Sequence, residues 1–258
     1  MKSGHPVRTA LVAAALAIGV PLGAQESAST PPGVVAPSPE TDSVYPFQPV
    51  SGTPLRTGVT TYRLSLMRDV GPTPLGVRTV EVTETQVGGI AAWLIAERRT
   101  GTAVPTTDSL WLSRAELAPM RWVGTIDRAQ LAASFAHDSI FGALQNYAGR
   151  SSFTAPLLPG ALLTPGMTER LLELMPLRSD YRAAASLLLV DMGTPRALPA
   201  EIAVEREERI RTPAGDADCW VVVVRAGVME ERLWVDKGRR IVVRTEQTTE
   251  VGRVVGEL

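Results

Sequence analysis

The chain has 258 residues, 45% hydrophobic and 21% charged, enough for a sizeable core in one large or two small domains. Its 26 lysines and arginines are interleaved with 27 acids, so no basic block offers a footprint for nucleic acid. A single cysteine excludes an internal disulfide, and with two histidines it cannot build a tetrahedral zinc set.

Residues 1–24 read as a secretory signal. Lys2, His5 and Arg8 precede an apolar run from Ala10 to Val20, and Pro21-Leu22-Gly23-Ala24 supplies small residues for cleavage after Ala24. The run is about a dozen residues, short of the ~20 that a membrane-spanning helix needs, and no later stretch is long or apolar enough. No cysteine follows it, as a lipoprotein signal would require, and Arg8 has no arginine beside it. The expected location is the periplasm or the medium. Residues 25–54 form a linker dense in Pro, Ser and Thr, with little to bury. Tyr45, Pro46 and Phe47 could dock on the folded body, but the linker reads chiefly as a tether.

A single antiparallel β domain is expected over residues 55–258. From Val59 to Val70, Tyr62, Leu64 and Leu66 share one face of a half-buried strand, and Gly71-Pro72-Thr73-Pro74 then reads as a loop. Val77–Val87 alternates again, with Val80 and Val82 inward and Thr79, Glu81, Thr83 and Thr85 facing water. Gly88-Gly89 signals a hairpin into Ile90–Thr100, where Trp93 and Ile95 share a side. Three more short strands follow at Ser109–Ser113, Met120–Ile126 and Gln130–His137, carrying Trp111, Met120, Trp122 and Phe135. Between Thr164 and Met175 the rhythm changes: Met167, Leu171, Leu174 and Met175 fall on one helical face, with Pro165 in the first turn and Pro176 ending the run. This predicts a short amphipathic helix laid against the sheet.

Tyr181–Asp191 suits a strand or a buried helix, and the strands around it favour a strand. Glu201–Arg211 is a polar strand whose charges indicate a solvated face or a sheet edge. The Val run from Trp220 to Val224 has no polar residue and predicts burial on both faces. Short Gly-containing turns then lead to a strand with Leu233 and Val235 opposite Arg232 and Trp234, and to a third strand around Ile241–Glu246. Val251–Val255 is expected to add a last edge strand. The sum is a mostly β protein: a curled antiparallel sheet of about ten strands, an open or half barrel, with one helix packed on it.

Catalytic groups are scarce. His137-Asp138-Ser139 lists triad residue types, but successive strand side chains face opposite ways and do not converge. No nucleophile elbow, metalloprotease motif, phosphate loop or dinucleotide fingerprint occurs, so the expectation is a protein that is not an enzyme and holds no cofactor or metal. Cys219, inside the Val strand, reads as a small buried hydrophobe. Large apolar side chains are what the strands do carry. They either fill a core under the helix or line a cavity able to hold lipid-like chains. The candidate lining is Tyr62, Leu64, Leu66, Val80, Val82, Trp93, Ile95, Met120, Trp122 and Phe135 on strands, with Met167 and Leu171 on the helix.

The C-terminal half resembles an exported bacterial family, domain of unknown function 3108. The marks are the Val-rich strand Trp220–Arg225, the Leu-Trp-Val-Asp run Leu233–Asp236, Val242–Arg244, and the leucine-rich segment Leu172–Leu177. The resemblance extends over about residues 56–250. More distantly, the pattern is similar to half-barrel lipoprotein carriers of the LolA and LppX type. That likeness implies a concave sheet holding acyl chains under a helical lid, although those carriers use several helices where this chain has one. The functional expectation is binding or transport of a hydrophobic ligand, a lipid or acylated polypeptide, at the concave face; the alternative is a cell-envelope scaffold with a filled core. The expected partner is accordingly a hydrophobic ligand or an envelope protein.

Overall fold

The computed structural model describes residues 50–258 apart from residues 53, 102–104, 127–128, 159–161, 165–166, 192–193, 214 and 250–251. The proposed signal and nearly all of the linker, Tyr45–Phe47 included, lie outside the described residues.

The described residues form one open sheet that starts with eight strands in a meander: β1 (Gly58–Arg68), β2 (Gly71–Val87), β3 (Ile90–Thr100), β4 (Thr106–Ser113), β5 (Pro119–Ile126), β6 (Ala129–Phe135), β7 (Ser139–Asn146) and β8 (Gly149–Pro156). A two-residue strand, β9 (Leu162–Leu163), leads into the helix α1 (Met167–Leu174). A second meander follows: β10 (Arg182–Asp191), β11 (Thr194–Thr212), β12 (Gly215–Ala226), β13 (Met229–Asp236), β14 (Val242–Thr249) and β15 (Gly252–Glu257). All the pairings are antiparallel except the short one between β9 and β10. In the sheet, β15 lies between β1 and β14 and so joins the two meanders; β8 and β9 are the two edges. The sheet curls until β8 lies alongside β11.

Several expectations change here. Among the described residues there are fourteen strands of six residues or more, not about ten; two of them, β7 and β8, fill a stretch assigned no strand, whose Ser, Gly and Thr content hides its alternation. Gly71–Pro74 is not a loop but the start of β2. Its prolines are tolerated because β3 pairs with β2 only from Val77 onward, so Pro72 and Pro74 have β1 as their one neighbour. The C-terminal strand is not an edge: Leu66 pairs with Val254 on one side of β15, and Gln247 pairs with it on the other. Residues 182–191 are a strand, as the sequence favoured, and β11 is an interior strand whose charges face solvent rather than an edge.

The Val run explains itself through two cores. Val222 and Val224 face inward with Leu233, Val235 and Val242 in the main cluster, whereas Val221 faces outward with Cys219, Trp234 and Val243. Cys219 is fully buried there, and burial pushes its thiol up to about 12, as expected of a small hydrophobe rather than a reactive group.

Because each strand reverses on its neighbour, hairpin turns alternate between two rims. The turns after β1, β7 and β12 share one rim, called upper here; those after β2, β4, β6 and β13 share the lower rim. Val50, Gly52 and Leu55 dock at the lower rim. Val50 and Leu55 join the main cluster, and the Gly52 carbonyl accepts a 3.0 Å hydrogen bond from the Trp93 indole. Trp93→Phe keeps an aromatic ring but removes the indole donor, leaving that carbonyl with the Leu55 amide alone. The expected loss is about 1 kcal/mol in a urea titration, with earlier proteolytic trimming of residues 50–55.

Candidate functional site

The interior of the curled sheet is where the candidate lining residues converge. Tyr62, Val80, Val82, Trp93, Ile95, Trp122, Met167 and Leu171 belong to one cluster, each at most 3% exposed. Phe135 packs against it, half-buried. Leu64 and Leu66 are buried without joining it, and Met120 is half-buried outside it. Most of the predicted lining is therefore brought together, and Leu172 and Met175 pack into the same cluster. Two clefts, of about 330 and 370 Å³, are lined largely by the charged residues of β11 to β15, and no residue of the main cluster lines either.

What fills the interior is α1. It does not lie on the sheet with a solvated face: Met167 to Glu173 are all buried, and Met175 beyond them is too. A helix with Glu169, Arg170 and Glu173 can be enclosed only if those charges find partners inside. Arg78 of β2 supplies one, with Nη1 on Glu169 and Nη2 on Glu97 of β3 at 2.8 Å, while Arg99 Nε reaches the other oxygen of Glu97 at 2.7 Å. Arg170 pairs with Glu173 at 2.9 Å and donates to the Tyr62 hydroxyl at 3.3 Å, which in turn donates to the Val242 carbonyl at 3.0 Å. The Val242 amide donates to Glu173 Oε1 at 3.1 Å. The last turn of α1 has no basic residue of its own; Arg240, from the β13–β14 turn, donates to the carbonyls of Glu173 and Met175 instead. Arg240 adopts φ 56°, a left-handed conformation rare for a non-glycine, and this placement aims its guanidinium at the helix end.

Burial sets the electrostatics of this network. It pushes Glu97 up, but Arg78 and Arg99 together outweigh it and hold the carboxyl at about 2. Glu169 is lowered for the same reason, burial losing to Arg78. Glu173 goes the other way: burial outweighs Arg170 and raises it to about 7. Glu231 of β13 is raised to about 7 by burial and then by Glu169, and Asp108 of β4 to about 6 by burial and then by Glu97. The three raised acids keep protons in the fold that the unfolded chain releases, so their stabilisation is complete below their ordinary values and is lost as pH climbs through 6 to 7. The two lowered acids stabilise above their ordinary value and lose that contribution as pH falls toward 2. Stability should thus peak near pH 4–5, with a melting temperature about 5–10 °C higher at pH 5 than at pH 8. Glu173→Gln with Glu231→Gln should flatten the neutral limb in circular dichroism melts; a wild-type melting temperature that rises from pH 5 to pH 8 would refute this balance.

The sequence held a signal for these charges that apolar pattern-matching passes over. Arg78 has the parity of Val80 and Val82, Glu97 that of Trp93 and Ile95, Asp108 that of Leu110 and Leu112, and Glu231 that of Leu233 and Val235. Strict alternation alone places four ionisable residues on the inner face, where each needs a partner. His137 and Asp138 are exposed in the β6–β7 turn, away from this network.

The family described as "Protein of unknown function (DUF3108)" matches residues 61–258. The chain belongs to that family. The match starts in β1 and takes in all fifteen strands and α1. No curated protein matches the sequence. Among solved structures, this DUF3108 chain is similar to a Brucella abortus protein described as "Beta-barrel-like Protein of Domain of Unknown Function DUF1849". Identity there is 11%, covering 78% of this chain and 94% of that one, with a TM-score of 0.48. A second, titled "putative lipoprotein", is from Parabacteroides distasonis, at 12% identity, 81% and 97% coverage and a TM-score of 0.28. Among the described residues no helix is long and apolar enough to cross a membrane.

Proposed function

We propose that this DUF3108 protein is an exported, non-catalytic interaction module of the cell envelope whose barrel is filled by its own helix. The observation that carries the reading is the enclosure of α1: the apolar wall that a ligand would need already contacts Met167, Leu171, Leu172 and Met175. Export rests on the signal-like residues 1–24. Crosslinking in the periplasm should capture one recurrent protein partner, and solvent extraction of the purified protein followed by mass spectrometry should release no stoichiometric lipid. A lipid recovered near one per chain would sink this reading.

A second reading keeps the hydrophobic ligand, with α1 as the group it displaces. It is favoured by the short length of α1, eight residues, and by the polar links that hold its charged face. In that case an acyl-chain probe should bind more tightly to Arg240→Ala, whose helix end is released, than to the wild type.

A further inference from the structure

Three of the hairpin turns on the upper rim end in a large apolar residue held out into solvent: Val70 after β1, Tyr147 after β7 and Val228 after β12, exposed by 92%, 102% and 81%. The other exposed large apolar residues, such as Val59, Ile90 and Phe141, are each less exposed, and none is in an upper-rim turn. Each tip has an exposed arginine close by in sequence: Arg68 beside Val70, Arg150 beside Tyr147 and Arg225 beside Val228. Arg98, Arg196 and Arg253 add exposed positive charge at the same end; among the described residues the acids beside these turns are the exposed Asp69 and the half-buried Glu230, which pairs with Arg225 at 2.9 Å, while Arg253 pairs with Glu246 at 3.1 Å.

Isolated apolar side chains on turn tips contribute nothing to the core, and fully hydrated they carry a cost that burial elsewhere would remove. Along the sheet the three turns are well separated, near one edge, at the centre and in the second meander, so curling spreads them around the rim as three points of one ring. A flat, soft apolar layer beneath a negatively charged surface matches this arrangement: apolar tips enter the headgroup boundary, tyrosine sits at the interface, and the arginines meet lipid phosphates.

We infer that the upper rim is a docking surface for an anionic phospholipid bilayer, entered by Val70, Tyr147 and Val228 and held by the arginines beside them. This deepens the envelope-module reading by naming the surface on which the module works. It can fail on its own, because a protein partner can be crosslinked whether or not the tips enter lipid.

The test uses the full chain. Cys219 is fully buried, so an introduced thiol is the accessible one. Val70→Cys, Tyr147→Cys and Val228→Cys, each labelled with an environment-sensitive dye, are titrated with phosphatidylglycerol/phosphatidylcholine vesicles, with His137→Cys on the lower rim as the control. The expected result is a blue shift and an intensity rise of about threefold at the three tips and none at position 137. Combining Arg68→Gln, Arg150→Gln and Arg225→Gln should raise the vesicle concentration for half-response about tenfold. Silent tips, an equal response from His137→Cys, or an unchanged midpoint in the arginine variant would each overturn the inference. So would tips that respond to a detergent-free envelope protein fraction but not to vesicles, since the rim would then face protein.

Discussion

A chain stopped after Thr249 is expected not to fold. β15 is only six residues long, and at an edge its loss would remove one ladder and cost a few kcal/mol. Here it pairs with β1 over Arg63–Met67 and with β14 over Arg244–Thr249, and no other strand touches both. Deleting it opens two long edges in the middle of the sheet, uncovers Leu64 and Leu66 and separates β1 from the second meander, on which the Tyr62–Val242 bond depends. The loss exceeds the ~5–15 kcal/mol of stability that a domain usually has, so the outcome is an unfolded or aggregated chain rather than a weakened one. The check is two-fold: circular dichroism of the truncated chain, and rescue by a peptide of residues 250–258 added in trans. A truncated chain that melts cooperatively within a few degrees of the wild type would show that β15 is dispensable.

Arg78→Met should cost about 3–5 kcal/mol, read from urea denaturation, because it strands Glu169 inside the sheet and takes one of two partners from Glu97. Both Glu97 and Glu169 are nearly inaccessible, at 3–4% side-chain exposure, and Arg78 bridges them. Arg99 still reaches Glu97, but Glu169 has no other close ion-pair partner among the described residues. The decisive comparison is the neutral triple variant Arg78→Met, Glu97→Gln, Glu169→Gln. A buried ion cluster replaced as a unit often costs little, so most of the stability should return. If the single variant loses less than about 1 kcal/mol, the network is solvated and the account of how α1 is enclosed fails.

The β character, the two-core Val run, the strand at residues 182–191 and the convergence of Tyr62, Trp93 and Trp122 were legible because period-2 alternation and burial are local properties of sequence. Three things were not. The position of β15 is decided by which distant strands it meets, and a short polar strand such as GRVVGE looks the same at an edge or in the centre. The enclosure of α1 is likewise non-local: its Glu and Arg residues resemble a solvated face until Arg78 and Glu97, far away in sequence, are seen to face it. β7 and β8 were hidden because Gly142, Ser151, Ser152 and Thr154 carry little apolar signal, while Gly142 is required by geometry: a Cβ there would lie 2.1 Å from the Ala132 carbonyl oxygen.

The place of β15 also governs the timescale on which the molecule lives. Tyr62 and Val242, which are linked where β15 joins the two meanders, are 180 positions apart, so making that join is a late and entropically demanding event. The same step strips water from Arg78, Glu97 and Glu169, and reversing it would require wetting them again before any compensating contact forms. Opening should therefore be slow even if equilibrium stability is ordinary, and the protein should resist proteases as a matter of rate.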